Sequence, residues 1–174
     1  MSNRIHVRPA SIDDADVQGL ADVLVDCVVG GASVGFMLPF DFERAQSFWT
    51  GALQSAASGE RVVLVAEDDA GVIVGTVQVV LTAPENQPHR GEISKMLVHR
   101  DARRRGVAEA LMRAAEVAAR DAGKTLLVLD TASDSAERLY ERLGWQRVGV
   151  IPDYALWPQG GYVDTILFYK LLPA

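Results

Sequence analysis

Arg103-Arg104-Arg105-Gly106-Val107-Ala108 joins an apolar strand pattern, Glu92–Val98 (EISKMLV), to a helical one, Val107–Ala119, in which Val107, Leu111, Ala115 and Ala118 recur at helical spacing. Six of the 17 basic residues of the chain (Arg90, Lys95, Arg100, Arg103, Arg104 and Arg105) fall within the sixteen positions 90–105. The first N–H groups of a helix have no partner inside it and point outward together, beside the positive end of the macrodipole. Gly106 and Ala108 remove side-chain bulk, so an anion can approach the backbone closely. In physical terms this is a cradle for a phosphate or pyrophosphate, with arginines at hand for a further phosphate. The alternative is a solvated basic turn before an ordinary helix. The other nucleotide motifs are missing: no G-x-G-x-x-G follows the first strand pattern, and no G-x-x-x-x-G-K-S/T occurs anywhere.

Working outward, His6–Ala10 reads as an opening strand. Ser11, with Asp14 three residues on, reads as a helix start, and the helix should run to about Val29 and stop at Gly30-Gly31. Asp41 can cap a second helix reaching about Ser58. Arg61–Glu67 and Val72–Leu81 are β-branched runs on either side of Asp68-Asp69-Ala70-Gly71, a hairpin signal. Beyond the arginine turn, Thr125–Asp130 (TLLVLD) reads as a strand buried on both faces, and Ser135–Leu143 as a helix closed by Gly144. Gln146–Val150 and Thr165–Lys170 complete the strands, with Ile151–Val163 as a Pro/Gly/aromatic loop between them. The order is β-α-α-β-β-β-α-β-α-β-β, a mixed α/β sheet with helices on both faces.

At 174 residues and 18.8 kDa, with no repeat or long linker, the expectation is one domain over residues 1–174. A formal net charge of −6 argues against nucleic acid as a partner, because neutralising phosphates needs a positive surface. The single cysteine, Cys27, excludes an internal disulfide and any cysteine-cluster metal site; in the run Val23–Val29 it reads as a small buried hydrophobe. No metal is expected. The opening Met1-Ser2-Asn3-Arg4-Ile5-His6 has no apolar signal core, and the longest charge-free runs, Cys27–Phe40 and Ala70–Pro84, fall short of the ~20 residues of a membrane helix. The expectation is therefore a cytoplasmic protein without a membrane partner.

The arginine–glycine stretch resembles the acetyl-CoA-binding signature of the GNAT superfamily of N-acetyltransferases: arginine or glutamine, any two residues, glycine, any residue, then glycine or alanine. Met96-Leu97-Val98 precedes it on a strand, and Leu139-Tyr140-Glu141-Arg142-Leu143-Gly144-Trp145 resembles a helix of the same superfamily. The element order is also the family's, so the resemblance covers nearly the whole chain and implies a mostly antiparallel central sheet. Within the superfamily the chain resembles the tabtoxin resistance proteins, which acetylate an antibiotic β-lactam amino acid. The residues carrying that likeness are Gly30–Met37, Val65–Asp69, Leu129-Asp130-Thr131, and Arg147-Val148-Gly149 with Pro152 and Tyr154.

The resemblance implies acetyl-CoA as co-substrate and a small-molecule amine as acceptor, with a protein, peptide or polyamine acceptor as alternatives. A non-catalytic acyl-CoA-binding module is a further one. It also implies that the strand before the signature splays from the next, leaving a gap for the thioester arm. Leu97 and Val98 would offer backbone groups to the pantetheine. Backbone N–H groups across Arg104, Arg105, Gly106, Val107, Ala108 and Glu109 would hold the pyrophosphate, and Arg103 would meet a phosphate.

Direct transfer needs an unprotonated amine and a proton for the departing thiolate. Glu92 matches a common base position of the family, and Asp130, ending the next strand, is the second candidate. Either could instead bind a cationic substrate, cap a helix or sit on the surface. As a base, a carboxylate needs burial or a water chain. Tyr140 lies on a helix face with Ala136, Leu139 and Leu143, as a core tyrosine would. In the family context its hydroxyl is the general acid. Arg90 and Lys95 read as solvated surface charges, and His99 as a surface residue. The acceptor pocket should lie between the Gly30–Phe40 and Ile151–Val163 loops. Phe36, Met37, Tyr154 and Trp157 would form its walls, unless they anchor the loops or form a homodimer surface.

Overall fold

The computed structural model describes residues 4–173. Residues 1–3, part of the segment read as lacking a signal core, and residue 174 lie outside the described residues. Seven strands, β1 (His6–Pro9), β2 (Arg61–Glu67), β3 (Ile73–Val80), β4 (Arg90–Val98), β5 (Leu126–Thr131), β6 (Gln146–Leu156) and β7 (Tyr162–Leu171), form one sheet in the order β1-β2-β3-β4-β5-β7-β6. Every pairing is antiparallel except β4 with β5. The expected mixed, mostly antiparallel α/β fold and its element order are those observed. No helix is long and apolar enough to cross a membrane among the described residues.

Helices cover both faces. On one, α1 (Asp14–Val29) and α2 (Phe42–Ala57) bury Leu20, Leu24, Val28, Trp49 and Leu53 against Val63, Val65 and Leu97. On the other, α3 (Val107–Asp121) and α4 (Asp134–Arg142) bury Leu111, Met112, Ala115, Leu139 and Tyr140 against Val77, Val79, Leu127 and Phe168. Asp41 caps α2 as expected, accepting from Arg44 N at 2.9 Å. The start of α1 differs: Asp13 is the cap, accepting from Asp16 N, and not Ser11. Asp16 is nearly buried and needs partners, so the Ser11 N–H is drawn to its carboxylate together with two Arg8 nitrogens. Those donors, Arg8 foremost, hold the Asp16 pKa below the usual carboxylate range.

The last hairpin is the larger correction. The expected loop Ile151–Val163 is mostly strand: β6 continues to Leu156 and β7 begins at Tyr162. Pro152 has no N–H to donate, and Asp153 takes φ +52°, so the ladder slips between Ile151 and Ala155. An edge strand absorbs such a bulge and resumes pairing. At β5, only Leu127 and Leu129 are buried and Asp130 is exposed, so burial on both faces is incomplete.

Gly75 sets how closely α3 lies on β3. A Cβ there would stand 2.9 Å from Val107 Cγ1 and 3.0 Å from the Leu97 carbonyl oxygen, and the latter cannot swing away. Gly75→Ala should therefore destabilise the chain by about 1–3 kcal/mol, read as a lower urea midpoint at unchanged slope. An unchanged midpoint would mean that α3 shifts without cost.

Candidate active site

β4 and β5 pair in parallel only at Arg90↔Leu126, Gly91↔Leu127 and Glu92↔Val128. The cause of their separation is visible in β4. Opposite β3, the single residue Val77 faces two residues of β4, Lys95 and Met96, and Lys95 takes φ +51°. This bulge bends the rest of β4 away while β5 stays paired with β7 through Thr131. A wedge opens between Ile93–Val98 and Leu129–Thr131, as the resemblance implied.

At one end of the wedge lies the arginine turn. Arg104 (φ +60°) and Gly106 (φ +79°) are both left-handed, and Gly106 sits at the N-cap of α3 without any side-chain cap. The first helical bond is Ala110 N to Gly106 O, so the amides of Val107, Ala108 and Glu109 have no acceptor among the described residues. A Cβ built on Gly106 meets no atom within 4 Å. Uncapped donors facing open space fit a pyrophosphate. Arg105 is exposed on this turn, and Arg103 Nε donates to Val98 O at 3.4 Å. The Cys27 thiol meets the same carbonyl at 3.5 Å; burial pushes its pKa up, in keeping with an inert residue. Leu97 is buried on the α1–α2 face, so only its backbone could serve a ligand.

Gly106→Val tests the cradle. Left-handed backbone costs a β-branched residue about 1–2 kcal/mol of stability, whereas its side chain would fill the space before the free amides. Calorimetric titration with acetyl-CoA should show about 10- to 100-fold weaker binding. Unaltered binding would remove the cradle assignment.

At the other end is a cleft of about 290 Å³ lined by Glu92, Val128, Asp130, Val148, Tyr154, Leu167 and Tyr169 among others. It brings Glu92 and Asp130 together. Both are exposed, so of the two routes expected for a carboxylate base, burial or a water chain, the fold does not supply burial. Thr165 Oγ1 donates to Asp130 Oδ2 at 2.7 Å, a partner that sequence reasoning did not find. A comparable cleft between β2 and α2 has Arg61 as its one charged lining residue and offers no acid–base pair.

Tyr140 is buried, its ring 5.7 Å from Phe168 and 6.0 Å from Trp145. Its hydroxyl makes no hydrogen bond among the described residues. It is also absent from the fully enclosed orphaned atoms, which are Trp49 Nε1 and Gln78 Nε2. Burial, with a smaller contribution from Asp130, pushes the phenol well above its usual pKa.

Lys95 corrects the expectation of a solvated charge. Its ammonium nitrogen lies 5.8 Å and 5.5 Å from the ring centres of Phe36 and Phe48, and burial lowers its pKa, opposed by the carboxylates of Asp130 and Glu92. His99 is half-buried and caps the turn Arg100–Ala102, its Nδ1 accepting from Asp101 N. Arg90 is held by Gln87. The loop after α1 touches the β6–β7 turn: Leu38 N donates to Pro158 O at 2.9 Å, and Ser33 Oγ to Leu156 O at 3.2 Å. Among the described residues, no cluster of three His, Cys, Asp or Glu could hold a metal ion.

Comparison with known proteins agrees with this geometry. Residues 31–145 match the acetyltransferase (GNAT) family. An N-acetyltransferase encoded in the hisH-hisA intergenic region of Azospirillum brasilense is 30% identical over 159 residues, covering 88% of this chain and 92% of that protein. The fold is also that of an N-acetyltransferase from Staphylococcus aureus Mu50 (TM-score 0.81, 16% identity, 98% and 99% of the two chains covered). A phosphinothricin acetyltransferase from Sinorhizobium meliloti, solved with acetyl-CoA, is similar as well (TM-score 0.81, 19% identity, 99% and 89% covered). With two thirds of its length matching the family and a relative aligned nearly end to end, this chain belongs to the GNAT family of acetyltransferases.

Proposed function

We propose that the chain moves an acetyl group from acetyl-CoA directly to the primary amine of a small, amino-acid-like molecule, of the kind found among antibiotics and toxins. The carrying observation is the wedge between β4 and β5, which joins uncapped amides at the start of α3 to a cleft holding two carboxylates. Acetyl-CoA supplies the activated acyl group as a thioester. The amides of Gly106, Val107, Ala108 and Glu109 hold its pyrophosphate, with Arg103, Arg104 and Arg105 around them. The strand backbone at Leu97 and Val98 faces the pantetheine arm. Glu92 or Asp130 takes the proton of the incoming ammonium, directly or through water, because an amine is a nucleophile only when neutral. Tyr140 gives a proton to the departing thiolate.

A small acceptor is favoured over a peptide by the loops. The hydrogen bonds Leu38–Pro158 and Ser33–Leu156 tie the loop after α1 to the β6–β7 hairpin, whereas a polypeptide acceptor would need the two apart. The test is thiol release from acetyl-CoA with β-lactam amino acids, other amino acids, polyamines, aminoglycosides and lysine peptides. Turnover confined to small amino-acid-like amines is the expected result. Turnover of peptides alone would overturn the acceptor class, and failure to bind acetyl-CoA would overturn the donor.

A further inference from the structure

Lys95 occupies a place that costs free energy three ways. Its backbone is left-handed although it is not glycine. Its side chain is half-buried, the ammonium lying beside Phe36 and Phe48 with Gly35 alongside. Among the described residues it forms neither a salt bridge nor a hydrogen bond. The two aromatic faces repay part of this. A partly desolvated cation with no contact ion pair is open to an anion that a ligand brings. Beside it, Gln78 pairs in register with Ser94 and is fully buried, its Nε2 donor left without an acceptor. The other charges facing Lys95 are Asp130, Glu92 and Arg61. Lys95 thus stands near the two carboxylates that line the cleft.

We propose that Lys95 is a specificity-determining residue that binds the carboxylate of a zwitterionic amino acid whose ammonium is received by Glu92 and Asp130. The inference rests on the acetyl-transfer reading and narrows its acceptor to amines that carry a free carboxylate. The bulge that opens the wedge is also what turns Lys95 toward Phe36 and Phe48, so one irregularity of β4 serves both substrates.

The experiment uses the twenty L-α-amino acids and their α-carboxamides as acceptors, with wild-type protein, Lys95→Met and Lys95→Arg. Thiol release and the melting temperature are followed for each. Methionine keeps the apolar stem between the rings and removes the charge. Wild type should prefer the free acid of its best acceptor, and the acid-to-carboxamide ratio of kcat/KM should fall about 30-fold in Lys95→Met. Most of that ratio should return in Lys95→Arg. Comparing ratios cancels the different basicities of the two amines. A ratio that Lys95→Met leaves unchanged, turnover of carboxylate-free amines alone, or no response to any free acid in rate or melting temperature overturns the assignment. Absent acetyl-CoA binding removes the acetyl-transfer reading itself, and this inference with it.

Discussion

Tyr140→Phe is expected to lower kcat about 10²- to 10³-fold while the dissociation constant of acetyl-CoA stays within about twofold, the magnitude of a lost general acid. The substitution isolates the oxygen unusually well. The ring, packed on Phe168 and Trp145, keeps its contacts in phenylalanine, and the hydroxyl forms no hydrogen bond among the described residues to be broken. Folding should therefore be preserved, and a rate loss would be chemical. Burial raises the phenol's pKa, so Tyr140 is in its proton-bearing form throughout the neutral range and any fall in rate at high pH belongs to another group. The linkage sign follows. A raised folded-state pKa contributes stability that is complete below the unfolded value of about 10 and is lost as pH rises beyond it. Tyr140→Phe should lose less stability than wild type under alkaline conditions. An unchanged kcat would mean that water protonates the thiolate, and a matching loss of acetyl-CoA affinity would make Tyr140 a binding residue.

The route to that residue shows what the sequence exposes and what it hides. Local rules found the β2–β3 hairpin, because Asp68 and Gly71 encode their own turn: the Asp68 carboxylate accepts from Ala70 N and Val72 N. They found α2 from Asp41 for the same reason. They missed Asp13 as the cap of α1, since the choice between it and Ser11 depends on Arg8 reaching Asp16 from the sheet. They ended β6 too early, because Pro152 reads as a strand breaker and only the edge position of β6 makes it tolerable. The wedge had no compositional signal. It arises from a left-handed lysine, a conformation that no residue preference predicts, and so it was reached through resemblance alone. Lys95 was misjudged for a related reason. A charged residue in EISKMLV looks like the solvent side of an alternating strand, yet the bulge breaks the alternation at that residue and sends the side chain among aromatic rings. Thr165 could not be paired with Asp130 before the register of β5 with β7 was known.

The two carboxylates should separate in opposite kinetic parameters. Glu92 stands at the last paired position before the wedge opens and makes no side-chain hydrogen bond among the described residues, so its lone pairs are free to accept a proton. Asp130 is different: Thr165 Oγ1 fixes one of its oxygens at 2.7 Å, an arrangement suited to holding an ammonium in a set orientation. Glu92→Gln is accordingly expected to lower kcat about 10²- to 10³-fold with little change in acceptor KM, the result of losing a base. Asp130→Asn should raise acceptor KM about tenfold with a smaller effect on kcat, because a charge-assisted contact to the ground state is lost. Steady-state kinetics on the best acceptor, with acetyl-CoA saturating, decides between them. If Glu92→Gln changes only KM while Asp130→Asn lowers kcat, the roles are exchanged and the base is the residue held by Thr165. If each lowers kcat and the double variant is no worse than either single one, the carboxylates act as a unit on one water, since groups that share a step do not add. That last outcome would also explain how two exposed carboxylates can serve without burial, through the water chain that was the alternative expected for a base. The bound amine would then close the cleft, and the pair would move its proton only once solvent had been displaced.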